Sequence, residues 1–223
     1  RLSAMTAVSG YEQAMTDSLL ALVPGAIRDR AGNVVLTLGS GEPRTLIACP
    51  IDEPGFVVGG IRSDGYLTLR RVGPTPGPLA DQQFEGQRVT VFGRRGPVPG
   101  VVGVRSTHLT RGRATNDVPF TFDDAFVDIG ADSATVAARL GIEALSPVAR
   151  AKAPHRYGDG LLAAPVAGRR AACAALVLAA RDVRPRRGSV VVAFVVEQSF
   201  TRRGFDYVAK TRGPFTNGLL LEA

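Results

Sequence analysis

The amino-acid sequence predicts an α/β protein in which a mixed sheet with flanking helices is interrupted by an inserted small β-barrel. Three observations lead there. "VVVAFVV", Val190 to Val196, is apolar without alternation, the mark of a strand covered on both faces. "RRAACAALVLAARDV", Arg169 to Val183, runs into it and is apolar nearly all round, as a helix wedged between a sheet and another layer would be. From "GFVVGG" to "FVDIGADS" the pattern changes to short strands separated by Gly, Pro and Asp-Gly turns, which is barrel or sandwich patterning rather than βαβ.

In chain order, "SGYEQAMTDSLLALV" predicts a helix with Ser9 as N-cap, apolar residues at Ala14, Leu19, Leu20 and Leu22, and a stop at Pro24-Gly25. "NVVLTLG" and "RTLIACP" predict two strands joined by the turn-rich "SGEPR", as a hairpin or as adjacent strands. "GYLTLRRV", "QRVTVFG", "VPGVVGVR" and "AFVDIG" supply barrel strands, and "SATVAARLG" a short helix ending at Gly141. "SPVARAKAPHRYGDG" reads as the way out of the β-rich section, before helix and strand alternate again. The expected division is 1–61 with 156–223 for the sheet-and-helix domain and 62–155 for the barrel. There is no internal repeat.

With 223 residues, 45% of them hydrophobic, the chain can bury a proper core. Its apolar runs are too short and too often interrupted by charge to cross a bilayer, and the first residues lack a basic stretch followed by an apolar one. A soluble, cytoplasmic protein with no membrane partner is expected. Cys49 and Cys173 lie far apart, each in an apolar setting, and read as small core residues rather than a disulfide framework or zinc ribbon. The net charge of +7 invites a nucleic-acid reading. The arginine pairs are scattered, however, the densest cluster (Arg184, Arg186, Arg187) falls in a loop, and no aromatic residues are interleaved to stack bases. No nucleic-acid partner is expected.

Ser9-Gly10-Tyr11-Glu12, "IDEPGFVVGGIRSDGYLTL" from Ile51, "GVVGVRSTHL" from Gly100, "FVDIGADS" from Phe126, "VAGRRAAC" from Val166 and "EQSFTRRG" from Glu197 follow one another in an order and at spacings that resemble the M42 metallo-aminopeptidases, the glutamyl aminopeptidase and endoglucanase-M-like family. The likeness covers nearly the whole chain. It implies a zinc-aminopeptidase-like mixed sheet, an inserted dimerisation-type barrel, and assembly into dimers and larger oligomers. It also implies two divalent ions, zinc or cobalt, about 3.5–4 Å apart, which clamp the substrate carbonyl and activate a water.

The family positions do not carry the family residues. In "PIDEPGF" the metal-binding imidazole is replaced by Pro50, and Asp52, which would orient that imidazole, keeps its place without it. The family's Asp-Asp(or Asn)-Arg-x-Gly, whose first Asp bridges the ions, falls on Ala167-Gly168-Arg169-Arg170-Ala171. With Arg203-Gly204 as anchor, the general base falls on Gln198 and its neighbouring ligand on Ser199; a shift of one would place Glu197 and Gln198 over that pair. Glutamine cannot accept a proton near neutral pH. The next ligand position matches Glu222, a carboxylate kept in kind, and the last family ligand falls beyond Ala223.

The resemblance therefore implies no catalytic residue and no bound metal cofactor, with ligand positions at Pro50, Ala167, Ser199 and Glu222 and residual cleft carboxylates Asp52, Glu53, Glu197 and Glu222. Of the two histidines, His108 matches a barrel histidine that is not a ligand, and His155 reads as a linker residue that could reach the cleft with Asp159. Asp123-Asp124 reads as a solvated loop rather than a cation site, and Ser199 lacks the histidine or Gly-x-Ser-x-Gly elbow of a serine hydrolase. The leading expectation is a catalytically silent relative with a structural, assembly or ligand-binding role. Its partners would be further copies or an active paralogue, through 62–155, or a peptide in the cleft. The alternative is an active aminopeptidase in which Asp52, Glu53, Glu197 and Glu222 gather a metal.

Overall fold

The computed structural model describes residues 1–74, 77, 79–104 and 122–222. Its contacts divide the chain into two compact units, Arg1–Glu53 with Lys152–Ala223, and Pro54–Ala151.

The first unit is built on a five-stranded sheet. Its strands are β1 (Ile27–Arg28), β2 (Val34–Gly39), β3 (Arg44–Pro50), β12 (Ser189–Val195) and β13 (Asn217–Leu220), in the order β1-β2-β12-β3-β13. The absence of polar alternation in β12 has the expected meaning. Val192 and Phe194 pack on one face with Met15 and Leu19 of α1 (Gln13–Leu22) and with Cys173, Leu176 and Val177 of α3 (Ala167–Asp182). Val191, Ala193 and Val195 pack on the other with Val208 of α4 (Arg203–Arg212). A strand with helices on both sides has no solvent face to make polar.

Three local expectations change. The first helix starts at Gln13, with Glu12 rather than Ser9 in the N-cap position: the Ser9 amide donates to the Glu53 carbonyl at 3.1 Å, and a turn closed by the Tyr11 amide on the Val8 carbonyl at 2.7 Å separates Ser9 from the helix. β2 and β3 are neither a hairpin nor adjacent: β12 lies between them, antiparallel to β2 and parallel to β3, so that Val192 faces Leu36 on one side and Ile47 on the other. α3 buries one stripe, Arg170, Cys173, Leu176, Val177 and Ala180, and leaves Leu178 exposed, so it is amphipathic rather than apolar all round.

The second unit is a closed barrel, in the order β4-β5-β8-β7-β6-β9, of β4 (Gly55–Ile61), β5 (Leu67–Val72), β6 (Arg88–Gly93), β7 (Gly96–Gly103), β8 (Phe126–Asp128) and β9 (Pro147–Arg150). Period-two burial fills it: Leu67 and Leu69, Val89 and Val91, and Val127 and Val148 all join one core. The short helix α2 (Ala134–Arg139) is capped by Ser133, whose hydroxyl accepts from the Val136 amide. This unit begins before the expected 62 and ends before the expected 155. Gly55–Ile61 pairs with β5 and β9 and so belongs to the barrel, whereas His155–Tyr157 (β10) pairs with Leu161–Ala163 (β11) in a separate two-stranded sheet.

Asn33 fixes the exit from β12. Its side-chain oxygen accepts from the Val196 amide at 3.0 Å, and its Nδ2 donates to Asp29 Oδ2 at 2.8 Å and to the Gly204 carbonyl at 3.0 Å. Gly204 approaches so closely that a Cβ there would run into Asn33 Oδ1 and the Val196 carbonyl and lie 2.7 Å from the Val196 nitrogen. Gly204→Ala should cost about 1–3 kcal/mol through this overpacking. Urea unfolding monitored by circular dichroism checks it, and a midpoint unchanged from the parent would contradict the assigned contact.

Candidate functional site

Parallel pairing puts the carboxyl ends of β3 and β12 side by side, with Pro50 opposite Val195 and, one strand further, Leu220 of β13 opposite Ala48. The segments leaving these strands carry Asp52 and Glu53, then Glu197, Gln198 and Ser199, then Glu222. α3 begins beside them at Ala167. This is where α/β sheets place their chemistry, and Pro50, Ala167, Ser199 and Glu222, expected from the sequence to stand at ligand positions, all lie there.

Arg169 joins the three segments that leave the strands. Its Nη1 donates to the Asp52 carbonyl at 2.8 Å, to Ser199 Oγ at 2.9 Å and to Asp52 Oδ1 at 3.4 Å, while its Nη2 donates to Glu222 Oε1 at 3.1 Å. Asp52, fully buried, also accepts the Ser199 amide through Oδ2 at 2.7 Å. A second cluster surrounds Glu53. Lys152 pairs with its Oε2, the Ala7 amide donates to its Oε1 at 2.9 Å, and Arg170 Nη2 lies 3.7 Å from Oε1 while Nη1 donates to the Ile51 carbonyl. Burial lowers the Arg170 guanidinium from its ordinary value, with Glu53 opposing and Arg169 adding to the effect.

Glu197 stands apart from these clusters. Its backbone is left-handed, φ +54°, and its carboxylate accepts from Thr201 Oγ1 at 2.8 Å and Arg203 Nη1 at 3.2 Å, closing its own loop. Gln198 has a buried side-chain oxygen with no partner among the described residues. His155 is exposed in β10, its ring 6.1 Å from that of Tyr157, with Asp159 in the following turn, so the linker expected there is a hairpin. Asp123 forms an exposed ion pair with Arg70 at 3.2 Å, and Asp124 is exposed too. His108 lies outside the described residues.

Two divalent ions do not fit this donor set. Pro50 and Ala167 offer no side-chain donor, and the Ser199 hydroxyl and the Glu222 carboxylate already receive protons of Arg169. Among the described residues, no group of three or more His, Cys, Asp or Glu is placed to share a metal. Also among them, no helix is long and apolar enough to cross a membrane.

Sequence reasoning missed several parts of the site. Cys49 and Cys173 are not separate core residues: a disulfide joins them, Cα to Cα 5.8 Å, across a sequence separation of 124. Their only sequence signal is that Cys49 immediately precedes Pro50 and Cys173 lies on the helix that starts at Ala167. The twin arginines after Ala167 were visible as a basic pair, but not their partners, and Lys152 carried no signal.

The family model for M42 glutamyl aminopeptidase matches residues 32–210. This chain belongs to the M42 family. It is 34% identical to the SgcX protein of Escherichia coli (strain K12) over 207 residues, 89% of this chain and 54% of that protein. To lysyl aminopeptidase of Pyrococcus furiosus it is 28% identical over 207 residues, 88% of this chain and 57% of the relative. It thus spans little more than half the length of these relatives. Among solved structures, the TET1 peptidase of Pyrococcus horikoshii superposes with a TM-score of 0.84 at 26% identity, over 96% of this chain and 64% of the other. A TET aminopeptidase from a marine sediment Thaumarchaeota archaeon gives a TM-score of 0.87 at 24% identity, over 98% and 62%, a likeness of fold. The mixed α/β fold with a barrel is therefore that of the TET aminopeptidases.

One buried acid in this M42 chain titrates out of its usual range. Glu12 is 5% exposed, and its Oε1 accepts the Glu197 amide at 2.8 Å. Desolvation pushes its carboxyl up from 4.5 to about 7, against the backbone amides of Glu197, Gly10 and Glu12, with Asp52 adding a smaller upward push. The folded chain therefore holds this proton more tightly than the unfolded one. The resulting stability is fully present below pH 4.5 and is lost as pH rises through about 7. Its loss amounts to roughly 3 kcal/mol by pH 8. Glu12→Gln should flatten the change in urea midpoint between pH 5 and pH 8 and exceed the parent at pH 8; an identical pH profile would contradict the assignment.

Proposed function

We propose that this chain is a catalytically silent M42 aminopeptidase-like protein whose role is structural, in assembly, or in binding a ligand in the emptied cleft. The observation that carries it is the Arg169 guanidinium, which joins Ser199 and Glu222 where the family holds ligands, beside a Pro50 and an Ala167 that have none to offer. The base position supports the same reading, since the Gln198 amide cannot take a proton from water. Asp52, Glu53, Glu197 and Glu222, which the active alternative needs around one ion, instead face Arg169, Lys152 with Arg170, Arg203, and Arg169 respectively.

The assembly part of the proposal rests on the Pro54–Ala151 barrel and on relatives that assemble: the Pyrococcus horikoshii TET1 peptidase builds a tetrahedron or a large octahedral shell. Copies of this chain, or a paralogue, are the proposed partners, a peptide the proposed ligand, and the cytoplasm the proposed compartment.

Aminopeptidase assays with leucyl, lysyl and glutamyl p-nitroanilides, with cobalt or zinc added, should release no more nitroaniline than buffer does. Turnover that Asp52→Ala abolishes would establish the active alternative instead.

A further inference from the structure

We infer that Arg169 is a built-in counter-ion. It supplies, from within the chain, the positive charge that a metal centre would otherwise supply to the carboxylates at the strand ends. The inference rests on the reading of the cleft as metal-free and adds what holds it together.

A buried carboxylate needs a compensating cation, and removing one partner of a buried pair is strongly destabilising. The Asp52 side chain is 0% exposed and that of Arg169 only 14%, so this pair sits where solvent screens it little. A guanidinium suits the task better than an ammonium. Its planar fork reaches several acceptors at once, and here one nitrogen serves Asp52 and Ser199 while another serves Glu222.

Arg169 matches an arginine of the family motif, so its presence alone carries nothing. What distinguishes it is its set of partners, two of which stand at the ligand positions. The neighbouring cluster follows the same rule. Glu53, 4% exposed at its side chain, is matched by Lys152 at 6% and Arg170 at 1%. Three carboxylates, Asp52, Glu53 and Glu222, thus meet three tethered cations, and the cleft is balanced without a free ion.

Thermal unfolding of the full chain in chelator tests this with two variants of similar side-chain length, Arg169→Lys and Arg169→Met. The parent midpoint should be the same in chelator and in excess cobalt. Arg169→Met should lose on the order of 5–10 °C in chelator, and Arg169→Lys, which keeps the charge without the fork, should lose clearly less. In an Arg169→Met/Asp52→Asn double variant the loss should shrink, because the anion left unpaired is gone. Equal losses for the Lys and Met variants, including failure of both to fold, would overturn the inference, since shape rather than charge would then be what matters. So would a double variant no more stable than Arg169→Met, or a parent that cobalt stabilises. Nitroanilide turnover by a parent that passes these tests would break the silent reading alone.

Discussion

A carboxylate at Asp52, out of reach of water, has to be answered by positive charge, and the rest of the site is arranged around that requirement. The parallel register of β3 with β12 and β13 is what makes the requirement unavoidable. It brings three strand ends together, and the segments leaving them carry acids in a region closed on one side by α3. In a dinuclear peptidase metal ions meet the need and also do the chemistry. Here Arg169 meets it from the first turn of α3, and a guanidinium can neither exchange a water ligand nor generate a hydroxide. On the proposed silent reading, Pro50, Ala167, Gln198 and Ser199 form a coherent set: charge balance is kept by side chains of the chain, without a group that activates water.

The surrounding structure makes that arrangement rigid. The Cys49–Cys173 disulfide ties the end of β3 to the middle of α3, and Arg170 ties the same helix to the Ile51 carbonyl. Asn33 holds the exit of β12 against the start of α4, which fixes the loop carrying Gln198 and Ser199. Lys152 and Glu53, the two ends of the sheet unit at which the chain leaves and returns, are joined to each other. The fold of the family is retained around a cleft whose carboxylates pair with cations of the same chain.

Much of this was legible in the sequence, and what was not has a common cause. Patterns within one element were readable: the unbroken apolar run of β12, the short turn-separated strands of the barrel, the short helix in "SATVAARLG". That Pro50 and Ala167 offer no side-chain donor was readable from identity alone. Non-local pairings were not. Nothing in "NVVLTLG" or "RTLIACP" shows that a strand some 150 residues later inserts between them, and the barrel boundary at Pro54 follows from pairing rather than composition. The partners of Arg169 lie 30, 53 and 117 residues from it, and the cysteines are 124 apart. A sequence shows which residues stand at the strand ends; only the fold shows which charges they meet.

Metal content measures the central claim most directly. The full chain, purified without chelator, incubated with excess zinc or cobalt and desalted, is analysed by inductively coupled plasma mass spectrometry for metal per chain. A cleft already balanced by Arg169, Arg170 and Lys152 predicts a value near zero. One or two retained ions per chain would contradict the account, because the cations of the chain would then have been displaced from the positions on which it rests.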